Sequence, residues 1–109
     1  HITSAGNLEI GKKSLILANV FITNIDHDYQ EIDKHVVKQK YLVKDTIIGD
    51  NAYIGMGAAI MAGTKLGKQC IVGANSVVRG EFPDYCVIVG APAKLVKKYN
   101  PDTKIWEKV

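Results

Sequence analysis

The chain has 109 residues, 47% of them hydrophobic and 23% charged, with a formal net charge of +3. That is enough for one domain with one core, and it excludes a disordered tail. No basic run alternates with aromatics, which excludes a nucleic-acid surface, and no apolar stretch approaches ~18 residues, which excludes a spanning helix.

The chain opens at His1 rather than at a methionine, and "HITSAGNLEI" starts abruptly. Either upstream residues or a partner covering that end is expected, because solenoids cap their ends. No signal-peptide pattern is present at this start, so the expected compartment is the cytoplasm. A first patterned block, IGKKSL, ILANVF and ITNIDH, begins its units at Ile10, Ile16 and Ile22. His27 closes that block between Asp26 and Asp28. The next segment, "DYQEIDKHVVKQKY" over residues 28–41, is polar and reads as an excursion loop. From Ile22 to Leu42 is 20 residues, not a multiple of six, so the chain must leave the pattern there.

From Leu42 the sequence parses into hexads: LVKDTI, IGDNAY, IGMGAA, IMAGTK, LGKQCI, VGANSV and VRGEFP. The first position is Leu42, Ile48, Ile54, Ile60, Leu66, Val72 and Val78. Gly49, Gly55, Gly67 and Gly73 occupy second positions, and small residues occupy most fifth positions, among them Thr46, Ala52, Cys70 and Ser76. A period of six is neither helical nor a strand alternation sustained over forty residues. It predicts an all-β solenoid with one short strand per hexad, the aliphatic and the small residue pointing inward. Three hexads make a triangular coil, so residues 18 apart stack. Ile48, Leu66 and the neighbourhood of Cys86 are expected to form one column, and glycine is expected to supply the corner torsions. Cys70 and Cys86 lack metal-ligand spacing and read as small buried hydrophobes. The closing "PDYCVIVGAPAKLVKK" is expected to end the solenoid in a short helix. "YNPDTKIWEKV" reads as an extended tail, with Trp106 docked on a neighbouring surface. The expected organisation is a β-helix domain over residues 1–91 and a C-terminal helix and tail over 92–109.

"ITNIDHDY" with its loop, "IIGDNAYIGMGAAIMAGTKLGKQCIVGANSVV" and "PDYCVIVGAPAKLVKK" together resemble the hexapeptide-repeat acyltransferases, in particular the sugar O-acetyltransferases related to galactoside and maltose acetyltransferases and those modifying lipopolysaccharide. The resemblance implies a left-handed parallel β-helix, a homotrimer with sites between subunits, and transfer of an acetyl group from acetyl-CoA to a sugar or glycan hydroxyl. It places the general base on His27, with Asp26 or Asp28 to orient the imidazole. A histidine suits that task because its ordinary pKa of ~6.5 leaves it largely neutral yet basic at pH 7. It places donor contacts on Met56 and Ala74, and phosphate contacts on Lys94 and Lys97. Arg79 joins that group because Arg79-Gly80 stands where many relatives have Thr-Lys. No metal is implied.

Each assignment has a plainer counterpart. A lone histidine often serves structure or solvation, glycine-rich corners need no ligand, and lysines on a closing helix are often solvated. Other readings of the whole chain are a non-catalytic scaffold and N-acetylation of an amino sugar. A zinc hydratase of the same fold needs three histidine ligands, and His1, His27 and His35 lack the needed short spacing.

Overall fold

A computed structural model describes residues 2–3, 8–27, 30–35 and 40–109, with the side chains of residues 3, 27 and 41 outside that description. All regular elements among them are strands. The first block holds β1 (Ile2–Thr3), β2 (Leu8–Ile10), β3 (Leu15–Ile16) and β4 (Phe21–Thr23), followed by β5 (Ile25–His27) and β6 (Tyr41–Val43). Then come β7 (Thr46–Ile48), β8 (Tyr53–Ile54), β9 (Ala59–Ile60), β10 (Lys65–Leu66), β11 (Ile71–Val72) and β12 (Val77–Val78). The chain closes with β13 (Glu81–Phe82), β14 (Cys86–Gly90), β15 (Ala93–Asn100) and β16 (Ile105–Lys108).

These strands build three parallel faces of a β-helix. Face I stacks β2, β7, β10 and β13; face II stacks β3, β8, β11 and β14; face III stacks β1, β4, β9 and β12. The columns follow from the register: Ile10, Ile48, Leu66 and Phe82 on face I; Ile16, Ile54, Val72 and Ile88 on face II; Ile2, Ile22, Ile60 and Val78 on face III. Ile22, Ile54, Ile60, Val72, Val78 and Ile88 are fully buried. The face I column thus ends at Phe82 rather than near Cys86, because the step from Leu66 to its partner is two residues shorter than a full coil. The same shortening sets Cys86 beside Cys70, with Sγ atoms 3.5 Å apart.

Two expectations about glycine and about the chain's end are corrected. None of the second-position glycines Gly11, Gly49, Gly55, Gly67 and Gly73 has a positive φ. The left-handed torsion falls two residues later, on Lys13, Asn19, Asn51, Gly57, Gly63, Gln69 and Asn75. What the second position demands is close approach: each of these N–H groups donates to the next coil, as from Gly49 to Leu66 O at 2.8 Å and from Gly55 to Val72 O at 2.9 Å. A Cβ on Gly49 would stand 2.5 Å from Gly67 O. At the end, "AKLVKKYN" is β15 and not a helix; it pairs antiparallel with β14 and carries β16 on its other edge. The open edge of β14 supplies the pairing groups, and the register shift between Val87 and Ile88 accommodates one extra residue on the β15 side. That extra residue turns an alternating pattern into one resembling helical spacing. Trp106 docks as expected, across from Tyr99 with ring centroids 5.6 Å apart.

Buried polar side chains knit the coils together. Thr46 Oγ1 donates to Thr23 O at 2.9 Å and accepts from Gly63 N at 3.1 Å. Thr64 Oγ1 donates to Met61 O at 2.7 Å. Both cysteines are fully buried, and desolvation, followed by the hydrogen bond with Cys86, pushes the Cys70 thiol up from 9.0 to about 12. In the unfolded chain that thiol ionises near pH 9, so between about pH 9 and 12 the unfolded state binds fewer protons than the folded one. Stability is therefore expected to be fully present below pH 9 and to fall as pH rises through that window. Urea unfolding at about pH 8 and about pH 11 should show the fall, and Cys70→Ala should flatten it.

Candidate active site

The corner between faces III and I is where the chain leaves the coil. The excursion is bounded by a two-stranded antiparallel stem in which Ile25 pairs with Val43, Asp26 with Leu42 and His27 with Tyr41. Leu42 therefore stands in the stem, 40% exposed, and not inside the solenoid as its place in the first hexad predicts. Alternation resumes inward only at Thr46 and Ile48. The base of the stem is tied down by three bonds. Lys44 N donates to Asn24 O at 2.9 Å, Ile25 N donates to Thr23 Oγ1 at 3.0 Å, and Thr46 reaches Thr23 as described.

Asp26 is the best-defined polar group of this corner. Its carboxylate takes Arg79 Nη1 at 3.0 Å and Nη2 at 3.5 Å, with Lys44 Nζ at 3.8 Å. Arg79 Nη1 also donates to Ala62 O at 3.3 Å. A two-pronged guanidinium fixes direction as well as distance, so the coil holds the strand that carries His27 through the residue beside it. Asp28 and the His27 side chain lie outside the described residues. His35 is in the exposed turn at 30–35, where Lys34 pairs with Glu31 at 2.9 Å.

The donor-side candidates stand elsewhere. Met56 and Ala74 are neighbours on the corner between faces II and III, both exposed, with Met56 O accepting from Asn75 N at 2.9 Å. Lys94 and Lys97 are exposed on β15, opposite Val89 and Val87 of β14. Arg79 does not join them; it is on the stem corner, paired with Asp26. Within one chain, then, Asp26, His27 and Arg79 share one edge of face III, and Met56 and Ala74 share the other. Sequence reasoning missed Lys44 and the Asp26–Arg79 pair, whose members are 53 residues apart with nothing local to link them.

The faces differ in what they show to solvent. Face I presents Glu9, Ile47, Lys65 and Glu81, with Lys65 and Glu81 paired at 3.8 Å. Face II presents Leu15, Tyr53, Ile71 and Val87, and face III presents Phe21, Ala59 and Val77. The two apolar faces meet at the Met56–Ala74 corner.

A fold of stacked six-residue repeats with a histidine-bearing stem at one corner defines a class, and the comparisons agree with it. Residues 45–80 match the family described as bacterial transferase hexapeptide (six repeats). The chain carries hexapeptide repeats and is similar over its length to sugar O-acetyltransferases. It is 38% identical over 115 residues to WbbJ of Escherichia coli strain K12, whose assignment as a lipopolysaccharide biosynthesis O-acetyl transferase is itself an inference; the match covers 99% of this chain and 59% of WbbJ. Among solved structures, a galactoside acetyltransferase in complex with coenzyme A superposes with a TM-score of 0.76 at 25% identity, covering 99% of this chain and 56% of that one. The polysialic acid O-acetyltransferase OatWY gives 0.70 at 29% identity, covering 89% and 47%. The chain thus spans roughly half to three-fifths of the length of these relatives. Among the described residues no helix is long and apolar enough to cross a membrane.

Proposed function

We propose that the chain transfers an acetyl group from acetyl-CoA to a hydroxyl of a sugar or surface glycan, with His27 as general base. The observation that carries this reading is the anchored stem, which presents His27 at a fixed corner of a coil otherwise built for stacking. In the reaction, His27 takes the hydroxyl proton as the acceptor oxygen attacks the thioester carbon. The carbon–sulfur bond breaks, the new ester forms, and the proton passes from the imidazolium to the coenzyme A thiolate. No acyl-enzyme is needed. Met56 and Ala74 line the corner for the pantetheine arm, and Lys94 and Lys97 supply charge for the phosphates.

Because His27 and Met56 occupy opposite edges of face III, a site using both is built between two copies of the chain. The apolar outward positions of faces II and III suit that contact, and the homotrimer implied by the family resemblance is the assembly we favour. Use of acetyl-CoA suits a cytoplasmic protein. The test is thiol release from acetyl-CoA across a panel of sugars and nucleotide-sugars. Acceptor-dependent release is expected, and a folded trimer that releases no thiol with any acceptor would count against the transferase.

Arg79 is placed with the stem by its geometry and with coenzyme A phosphate by the family resemblance, and the two roles give opposite kinetics. A stem anchor predicts that Arg79→Met lowers kcat roughly ten-fold, since small misplacement of a catalytic group is costly, with KM for acetyl-CoA little changed. Asp26→Asn should match it, and the double variant should be no worse than either alone. A rise in KM for acetyl-CoA at constant kcat would instead assign Arg79 to the coenzyme.

A further inference from the structure

The third corner, between faces I and II, carries neither the stem nor the Met56–Ala74 pair. Its left-handed positions down the coils are Lys13, Asn51, Gln69 and Tyr85. Asparagine suits that torsion; a tyrosine there, at φ 56°, costs roughly 1–2 kcal/mol. The backbone at Tyr85 is engaged, donating to Lys68 O at 2.7 Å and accepting from Tyr99 N at 2.9 Å. Its ring recovers none of the strain in the core, because Tyr85 is 41% exposed. The pairing of Tyr99 with Trp106 is accounted for as a cross-strand contact of β15 and β16; Tyr85 is not accounted for by any element of the fold.

What Tyr85 does is extend that aromatic pair into a ledge. Its ring meets Tyr99 edge-on, with centroids 6.2 Å apart and planes at 64°. Shallow grooves flank the Tyr85–Tyr99 pair. One, of about 620 Å³, is lined by Pro83, Asp84, Tyr85, Lys98, Tyr99 and Pro101. The other, of about 390 Å³, is lined by Gln69, Tyr85, Tyr99 and Trp106. Both volumes are in the range of small-molecule sites. The polar groups around the rings are a carboxylate, an ammonium and an amide. Asp84 Oδ1 is engaged by Lys68 N at 2.7 Å, which fixes the carboxylate at the rim. A ligand of one charge sign would meet its own sign in either Asp84 or Lys98, so phosphates and carboxylates are poorly matched. Hydroxyl groups, which both donate and accept, match all three side chains, and an apolar ring face matches the tyrosines.

We infer that this corner is a carbohydrate-binding ledge, taking neutral pyranose rings of a glycan by stacking on Tyr85 and Tyr99. It stands on a different corner of the solenoid from His27 and from the Met56–Ala74 pair, so it holds glycan without taking part in the chemistry. Its test is a printed array of bacterial surface polysaccharides and oligosaccharides, probed with the full chain. Trp106, the chain's one tryptophan, reports solution titration of every glycan retained. The discriminating variant is Tyr85→Asn, which keeps a residue suited to the torsion and removes the ring. Wild-type retention that weakens about ten-fold or more in Tyr85→Asn, with thermal unfolding no lower than the wild type's, is the expected result. No glycan retained by the wild type, or equal retention by the variant, overturns the inference. Coenzyme A is titrated into both proteins alongside. Loss of coenzyme A binding in Tyr85→Asn would assign the ledge to the nucleotide and also overturn it. Coenzyme A that binds neither protein would speak against the transferase reading alone, leaving the ledge to be judged by the array.

Discussion

His27→Ala is expected to fold as the parent does and to lose acetyl transfer by about 10²- to 10⁴-fold, the usual range for a positioned base. The stem does not need the imidazole to form. Its pairing at His27 with Tyr41 is main chain to main chain, and its base is held by Thr23, Asn24, Lys44 and Thr46. Thermal unfolding and the state of assembly should therefore be unchanged while the rate collapses. The measurement is thiol release from acetyl-CoA with an acceptor that the parent enzyme uses, at saturating concentrations of both substrates. A rate within a few-fold of the parent would remove His27 from the chemistry and send the search for a base elsewhere.

The second large effect is structural. Gly49→Ala adds one carbon where a Cβ would sit 2.5 Å from Gly67 O, 2.6 Å from Gly67 C and 2.9 Å from Leu66 O. All three are backbone atoms of the next coil, so no side chain can swing aside. Relief requires lengthening the Gly49 N to Leu66 O bond, now 2.8 Å, and with it the spacing of two coils. A cost of about 3 kcal/mol is expected, at the upper end for overpacking, and roughly 100-fold in the folded-to-unfolded ratio. Gly80→Ala is the matched control. It has open space around it but a φ of 109°, so it suffers backbone strain alone, roughly 1–2 kcal/mol. Urea unfolding of the two variants separates close approach from torsion. Equal losses would remove close approach as the reason for glycine at the second position.

The period of six made the solenoid legible, because each flat face takes one inward aliphatic and three faces complete a turn of 18 residues. The count of 20 residues between Ile22 and Leu42 likewise announced that the chain leaves the coil. What the count could not show is that the last three residues of "ITNIDH" already belong to the stem, since Ile25 is as apolar as any core position. Glycine was read at the right places for the wrong reason: torsion and close approach leave the same letter in a sequence. The closing helix failed because one extra residue in β15 disguises an alternating strand. Tyr85 was hidden by the two-residue shortening between Val78 and Phe82, which shifts it into the Gln69 corner and out of the hexad frame. The Asp26–Arg79 pair required knowing that one coil passes beneath another, which pattern alone does not supply.

The stem between residues 25 and 43 separates two kinds of change. The His27–Tyr41 pair closes the ladder, so a change in the length of the chain between them need not alter the register of the coils beneath. Residues within the coils are locked by neighbours one turn above and below. A lineage carrying this architecture can therefore exchange the segment between those two residues wholesale, while the strand that carries the histidine keeps its place on the coil. Substrate range becomes an interchangeable part, and the reaction a fixed one.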